Sequence, residues 1–484
     1  MSVGSVVSAA LPQLPPPDLT ASPPGARGVA AGTASGAGAV VAVAARPSGD
    51  PLSLAGLGAC VEDARTAALV RADGPPDPTV FATLRARLVK AAEQLPPEYR
   101  GAVAEPLLAK LDELGAAGFA ELLRADPERE GDARLLLDVA QAVLQQGEGY
   151  KARATGAFQE VVSDLYDGFL SAEARRGVKP PEGEVLPPLV RWGSADAGPY
   201  TWPADATATL GAEVAVVSLP AANASGGILA WAALAHETSG HDLLGADAGL
   251  RDQLAGAVHS QLLAAKLPVA VADYWADRID ETASDVLGVL NMGPAAAVGM
   301  IGYFRGLNGA WSGTPALRNV GSADDPHPAD IARAYLAAET VRLLSFQGAG
   351  AWADRLVAEA DRDLGRIRLG DVAVTAAVAR ASAAAVARAI VRTRLPALER
   401  RALGEIQDWR DADEAAVAVL RAGLGAGEVG RYADGAYAAH AVAAGVYDAV
   451  SGAQTPGRAM GGMIAALDAM HERNPTWAQG AAAA

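Results

Sequence analysis

Apolar residues recur three and four positions apart through most of this chain, and one stretch alone changes to a β-branched run closed by proline. The segments VFATLRARLVKAAEQL, VAEPLLAKLDELGAAGFAELLRA and ARLLLDVAQAVLQQ each lay an apolar stripe along a helix. The exception is Ala212 to Leu219, AEVAVVSL, which ends at Pro220 and reads as a strand. The expected fold is mainly α with a small β-sheet, an α+β arrangement in which helical regions flank a central segment. Abundant alanine, with arginine preferred to lysine, is a compositional bias that raises helix propensity everywhere and blurs periodicity.

A chain of 484 residues has material for two or more domains and at least one large core. Its 40 basic and 56 acidic residues give a net charge of −16, which excludes the electrostatic footprint of a general nucleic-acid binder. Cys60 is the only cysteine, so neither an intrachain disulfide nor a cysteine-rich metal site can form. The first lysine or arginine is Arg27, and Pro12, Pro15, Pro16 and Pro17 interrupt the N-terminus, unlike the charged-then-apolar layout of a secretory signal. The apolar run Ala37 to Ala45 is far short of the roughly 20 residues of a membrane helix. The expectation is a soluble cytoplasmic protein with no membrane or nucleic-acid partner and no assigned oligomeric state. Non-classical export is the alternative.

Four regions follow from composition. Residues 1–50, rich in Pro, Gly and Ala with almost no charge, read as a disordered leader that a carrier or secretion partner could recognise. Residues 51–148 read as an N-terminal helical region and 149–347 as the core, entered through the Pro-rich stretch KPPEGEVLPPLVRW. Residues 348–484 read as a C-terminal helical region with a loose tail.

Inside the core segment, residues 236–241 read His-Glu-Thr-Ser-Gly-His, and Asp280-Glu281-Thr282-Ala283-Ser284-Asp285 follows. Two imidazoles beside a carboxylate, with a further carboxylate from a later segment, supply what a catalytic zinc needs: three ligands, an open fourth position and a base. Histidines four apart on a helix share one face. Five apart, they are separated by roughly 140°, so the spacing predicts a local widening such as a π-bulge at Ser239-Gly240. The strand before the first motif helix is expected to serve as an edge that pairs with extended substrate.

The six-residue motif and the later acidic cluster resemble the dipeptidyl-peptidase III family of zinc metallopeptidases, a gluzincin-type group with His-Glu-x-x-Gly-His and Glu-Glu-x-x-x-Glu motifs. The resemblance covers roughly Leu219 to Asp285. Asp280 and Asp285 stand where the family has glutamate, and Ala283 where it has a basic residue. By that resemblance the core is zincin-like, His236, His241 and Glu281 ligate Zn2+, and Glu237 is general base. Asp285 lies behind the ligands, with Asp280 in the family's first acidic position. Neutral imidazoles need an acceptor on the other ring nitrogen, and Asp285 or Asp242 could supply it.

Further on, His327-Pro328 and Arg333 resemble the segment after the zinc glutamate in the CAAX-protease group of metallopeptidases. That likeness implies His327 and Arg333 as electrophilic partners at the developing charge, with Tyr335 a further donor. The same residues also suit an ordinary helix start, Pro328 in the first turn and Asp330 at the positive end of the dipole. His259, His440 and His471 stand alone and read as surface or packing histidines. Trp231, Tyr274 and Trp275 read as core, Tyr303 and Phe304 as core or cleft wall, and the glycines from Gly457 to Gly462 lack a phosphate-loop ending. The functional expectation is a zinc-dependent hydrolase of peptide bonds acting on a peptide or protein substrate. The alternative is a helical scaffold or delivered effector whose metal site is structural or vestigial.

Overall fold

The computed structural model describes residues 52–70, 74–170, 186–195, 198–427 and 436–481. The leader assigned to 1–50 lies outside the described residues. Helices of eight residues or more are numbered in chain order. They are α1 (Leu57–Leu69), α2 (Phe81–Ala92), α3 (Glu105–Ala125), α4 (Asp132–Gly147), α5 (Ala152–Leu170), α6 (Ile228–Ser239), α7 (Leu250–Ala264) and α8 (Val269–Ala276). Then come α9 (Ile279–Met292), α10 (Pro294–Trp311), α11 (Asp330–Arg342), α12 (Ala349–Ala360), α13 (Ala376–Arg392), α14 (Asp411–Ala426), α15 (Ala438–Ser451) and α16 (Pro456–His471). The mainly α reading holds. The long helix read at 103–125 is broken at Gly115, whose φ of 61° interrupts α3.

Strands β1 (Leu189–Gly193), β2 (Tyr200–Trp202) and β3 (Val216–Pro220) form a sheet in the order β1-β3-β2. β1 runs parallel to β3, pairing Leu189 with Val216, and β2 runs antiparallel, pairing Trp202 with Val216. Every residue of β1 and β3 is buried. Side chains alternate between two cores, as a period of two requires. Leu189, Trp202 and Val216 join a cluster with α2, α3 and α4, whereas Val190, Trp192, Val217 and Leu219 join the main cluster. The expected strand is therefore present but central, with β1 and β2 as the edges, so β3 itself has no free edge to offer a substrate. A second sheet, β4 (Val320–Gly321), β5 (Ile367–Leu369) and β6 (Val372–Val374), was not foreseen. Its signal was present in IRLGDVAV, two β-branched runs separated by Gly370-Asp371.

α6 lies at the centre of the main core. Ile228 to Ala235 is apolar around its whole circumference, which suits a helix enclosed on all sides. It packs against α1, α5, α9, α10 and α15. Its N-terminus is held from another helix, because the Asp63 carboxylate on α1 accepts from the Gly227 and Ile228 amides at 2.9 and 3.0 Å. α16 lies along α5, and α1 along α10 and α15. The main core thus draws on Leu54 and Met470 alike, and Asp50–Ala484 forms one unit. The boundaries expected near 148 and 347 do not delimit separate bodies, since the central segment buries its apolar faces against both flanks.

Candidate metal centre

His236 occupies the last turn of α6, which ends at Ser239 with Gly240 as its C-cap. His241 comes from the turn that follows. The expected π-bulge is therefore replaced by a helix stop, and a π turn among the described residues lies elsewhere, at Arg100–Ala104. The cause is close packing on α9. A Cβ on Gly240 would overlap the Ser284 side chain, and one on Gly288 would sit 3.1 Å from the His236 amide. Glycine at 240 lets the backbone leave the helix against α9 and swing His241 beside His236, with ring centroids 5.2 Å apart.

Glu281 and Asp285 stand one turn apart on α9, buried and facing α6. His236 Nε2 lies 3.3 Å from Glu281 Oε2, and His241 Nε2 lies 3.6 Å from Oε1. One ligand atom from each of His236, His241 and Glu281 falls within 4.8 Å of the others. With bonds of about 2.1 Å to a tetrahedral ion, neighbouring ligand atoms stand about 3.4 Å apart. Glu281 Oε2 is buried yet has no hydrogen-bond partner. A buried carboxylate oxygen without a well-formed hydrogen bond, with imidazole Nε2 atoms 3.3 and 3.6 Å from its carboxylate, suits a cation, so this donor set fits zinc.

The supporting contacts fix the rings. Asp285 Oδ1 lies 2.8 Å from His236 Nδ1, which assigns the proton to Nδ1 and turns Nε2 toward Glu281. Burial opposes protonation of His236, but the neighbouring Asp285 and Glu281 carboxylates win and push it up to about 10. Burial likewise disfavours the Glu281 carboxylate, yet His327, His236 and His241 hold it well below its usual range. At Asp285 burial is outweighed by the Arg333 guanidinium and His236, which pull it down.

Glu237 follows His236 and is buried. Thr201 on β2 donates to its backbone carbonyl at 3.0 Å and to Oε2 at 3.2 Å. His327 arrives on the loop before α11. Its Nε2 is 3.4 Å from Glu281 Oε1, and Asp325 Oδ1 accepts from its backbone amide at 2.9 Å and lies 3.0 Å from Nδ1. Arg278, the residue before α9, ties this loop to the start of the Glu281 helix by donating to the carbonyls of Ser322, Ala323 and Asp325. The Ala329 amide donates to the Tyr274 hydroxyl oxygen at 2.9 Å.

Of the other expected site residues, Arg333 reaches the cluster from behind, and Tyr335, Asp242 and Asp280 go elsewhere. Arg333 is buried, gives Nε and Nη2 to Asp285 at 2.8 and 2.7 Å, and lies over the Phe304 ring. These two donors serve Asp285, behind His236. The Tyr335 hydroxyl donates to Asp361 and faces Arg380, because its side chain leaves α11 toward α12 and α13. Asp242 accepts from Tyr166 and the Ala204 amide instead of an imidazole, and Asp280 pairs with Arg251. His259, His440 and His471 pair with Asp273, Asp413 and Glu160, away from the cluster. Trp231 and Trp275 are core residues, each with its indole N–H bonded inside.

Thr201, Arg278 and Asp325 escaped the sequence reading. Asp325, two residues before a histidine in a proline-containing loop, carried a usable signal, since that spacing lets a carboxylate reach back to the ring. Thr201 and Arg278 carried none. Comparison of the chain with protein-family models, with curated proteins and with solved structures found no match.

Proposed function

We propose that the protein is a zinc-dependent peptide hydrolase with a zincin-like core, using His236, His241 and Glu281 as gluzincin-type ligands. The observation that carries this reading is the buried, unpartnered Glu281 Oε2 with two imidazole Nε2 atoms at tetrahedral-edge distances from its carboxylate. Three protein ligands leave a fourth position open, and a zinc bound there supplies Lewis acidity to a water and to the scissile carbonyl. Glu237, beside the ligand His236 and steadied by Thr201, is the base. It takes a proton from the attacking water and returns it to the amine as the C–N bond breaks, so water adds across the peptide bond with no net proton change. His327 is the group left to donate a hydrogen bond to the carbonyl oxygen, because Arg333 is occupied by Asp285.

A cytoplasmic setting suits a chain with a single buried cysteine. Among the described residues no helix is long and apolar enough to cross a membrane. The test pairs metal analysis of chelator-free protein with hydrolysis of a mixed peptide library by the parent and by Glu237→Gln. Near-stoichiometric zinc in both proteins, with cleavage by the parent alone, is expected. Zinc without cleavage by the parent would favour the scaffold reading with a structural metal.

A further inference from the structure

Arg333 is a buried cation beside a cluster that would itself hold a cation, and it contacts Asp285, Glu281 and His236 there. Its fork grips Asp285 with two hydrogen bonds of 2.8 and 2.7 Å. Nη2 also stands 3.5 Å from Glu281 Oε2 and 3.3 Å from His236 Nδ1. The same oxygen, Asp285 Oδ1, serves both Arg333 and His236 Nδ1. Phe304 on α10 closes the other face of the guanidinium, whose carbon lies 4.7 Å from the ring centroid. Four helices meet at this one side chain: α11 carries it, α9 brings the two carboxylates, α6 the imidazole and α10 the ring.

Two buried carboxylates one turn apart on α9 repel each other in a low-dielectric interior. In a site that depended on metal for its assembly, that repulsion would splay the ligands until the ion arrived. Here a permanent internal charge lies beside both carboxylates, 2.7 Å from Asp285 Oδ1 and 3.5 Å from Glu281 Oε2. We propose that Arg333 is a positioning residue that keeps the three-ligand cage assembled in metal-free protein, through the chain Arg333 to Asp285 to His236, so that metal enters a pre-formed site. This rests on the metal-binding part of the reading above and is independent of the reaction catalysed.

The geometry distinguishes fork from charge. Lysine keeps the charge but is a compact point donor that cannot grip both oxygens of Asp285 in one plane. If orientation matters, Arg333→Lys loosens the His236 ring even though the charge remains. Loss of groups that orient metal ligands typically weakens metal binding 10- to 100-fold. Arg333→Met alone strands Asp285 and could fail to fold, so it is paired with Asp285→Asn in a double variant that removes both charges together.

The experiment titrates Zn2+ and Co2+ against a competing chelator into metal-free parent, Arg333→Lys and the Arg333→Met/Asp285→Asn double variant, with folding checked by circular dichroism. Histidine side-chain 15N spectra of the metal-free proteins report the His236 Nδ1 proton directly. Expected are a hydrogen-bonded Nδ1–H at His236 in metal-free parent, its loss or exchange broadening in Arg333→Lys, and metal affinity 10- to 100-fold weaker in both variants. Affinity in folded Arg333→Lys within threefold of the parent, or no ordered His236 Nδ1–H in the metal-free parent, overturns the inference while leaving the metal site standing. Failure of the parent to bind either metal overturns the site itself.

Discussion

Two buried carboxylates in this protein receive opposite treatment. Asp138 on α4 is fully provided for: Arg191 donates to Oδ1, while the Tyr200 hydroxyl and the Trp202 indole donate to Oδ2 at 2.5 and 2.8 Å. Glu281 on α9 has no such provision, for its Oε2 accepts nothing and its nearest nitrogens stand at 3.3 to 3.6 Å. β2 serves both Asp138 and the Glu237 beside His236. Tyr200 and Trp202 point to Asp138, and Thr201 between them points to Glu237. A buried polar network with every acceptor filled fixes a sheet to a helix. One built around imidazoles with an acceptor left over suits a cation.

That contrast breaks or holds at five points, taken from the largest effect to the smallest. Glu237→Gln is expected to lower peptide hydrolysis by roughly 10²- to 10⁴-fold, the usual contribution of a general base, with metal content unchanged. Asp138→Ala strands a buried arginine and is expected to cost about 3–5 kcal/mol in denaturant unfolding, with metal affinity as in the parent. A weakened affinity would show that the two networks are one.

The third point concerns pH. His236 is held protonated up to about 10 in metal-free protein, and an ion requires its Nε2 free, so metal binding displaces a proton. Affinity should rise by up to about tenfold per pH unit between pH 6 and 9, with proton uptake by buffer measurable calorimetrically. In the metal-free chain the sign is opposite. His236 in the folded state lies above its ordinary 6.5, so its stabilising contribution is complete below 6.5 and is lost as pH rises through about 10. Fourth, Thr201→Val should slow hydrolysis by about tenfold, the order of one hydrogen bond to a charged group, and leave metal bound. Last, Tyr335→Phe should cost about 1 kcal/mol of stability and leave rate and metal unaltered.

The fold class and the His236, His241 and Glu281 grouping were legible because both rest on local spacing. Apolar periodicity marked the helices, and the six residues from His236 with the six from Asp280 named three side chains that α6, the turn after it and α9 bring together. How His241 gets there was misread, since a count along one helix says nothing of the neighbour that Gly240 must pass. Arg333 and Tyr335 share a helix two residues apart, yet one turns inward to Asp285 and the other away to Asp361. A two-residue step on a helix turns a side chain by roughly 200°, so the two could not both have served the same site. Thr201, Arg278 and Asp63 act across 36 or more residues of chain, where local pattern carries no information.

The central claim is tested most directly by calorimetric titration of Zn2+ into metal-free protein, alongside His236→Ala and Glu281→Ala. One zinc per chain, bound with release of a proton and lost in both variants, is the expected result. Absence of binding in the parent, or binding that survives both substitutions, would contradict it.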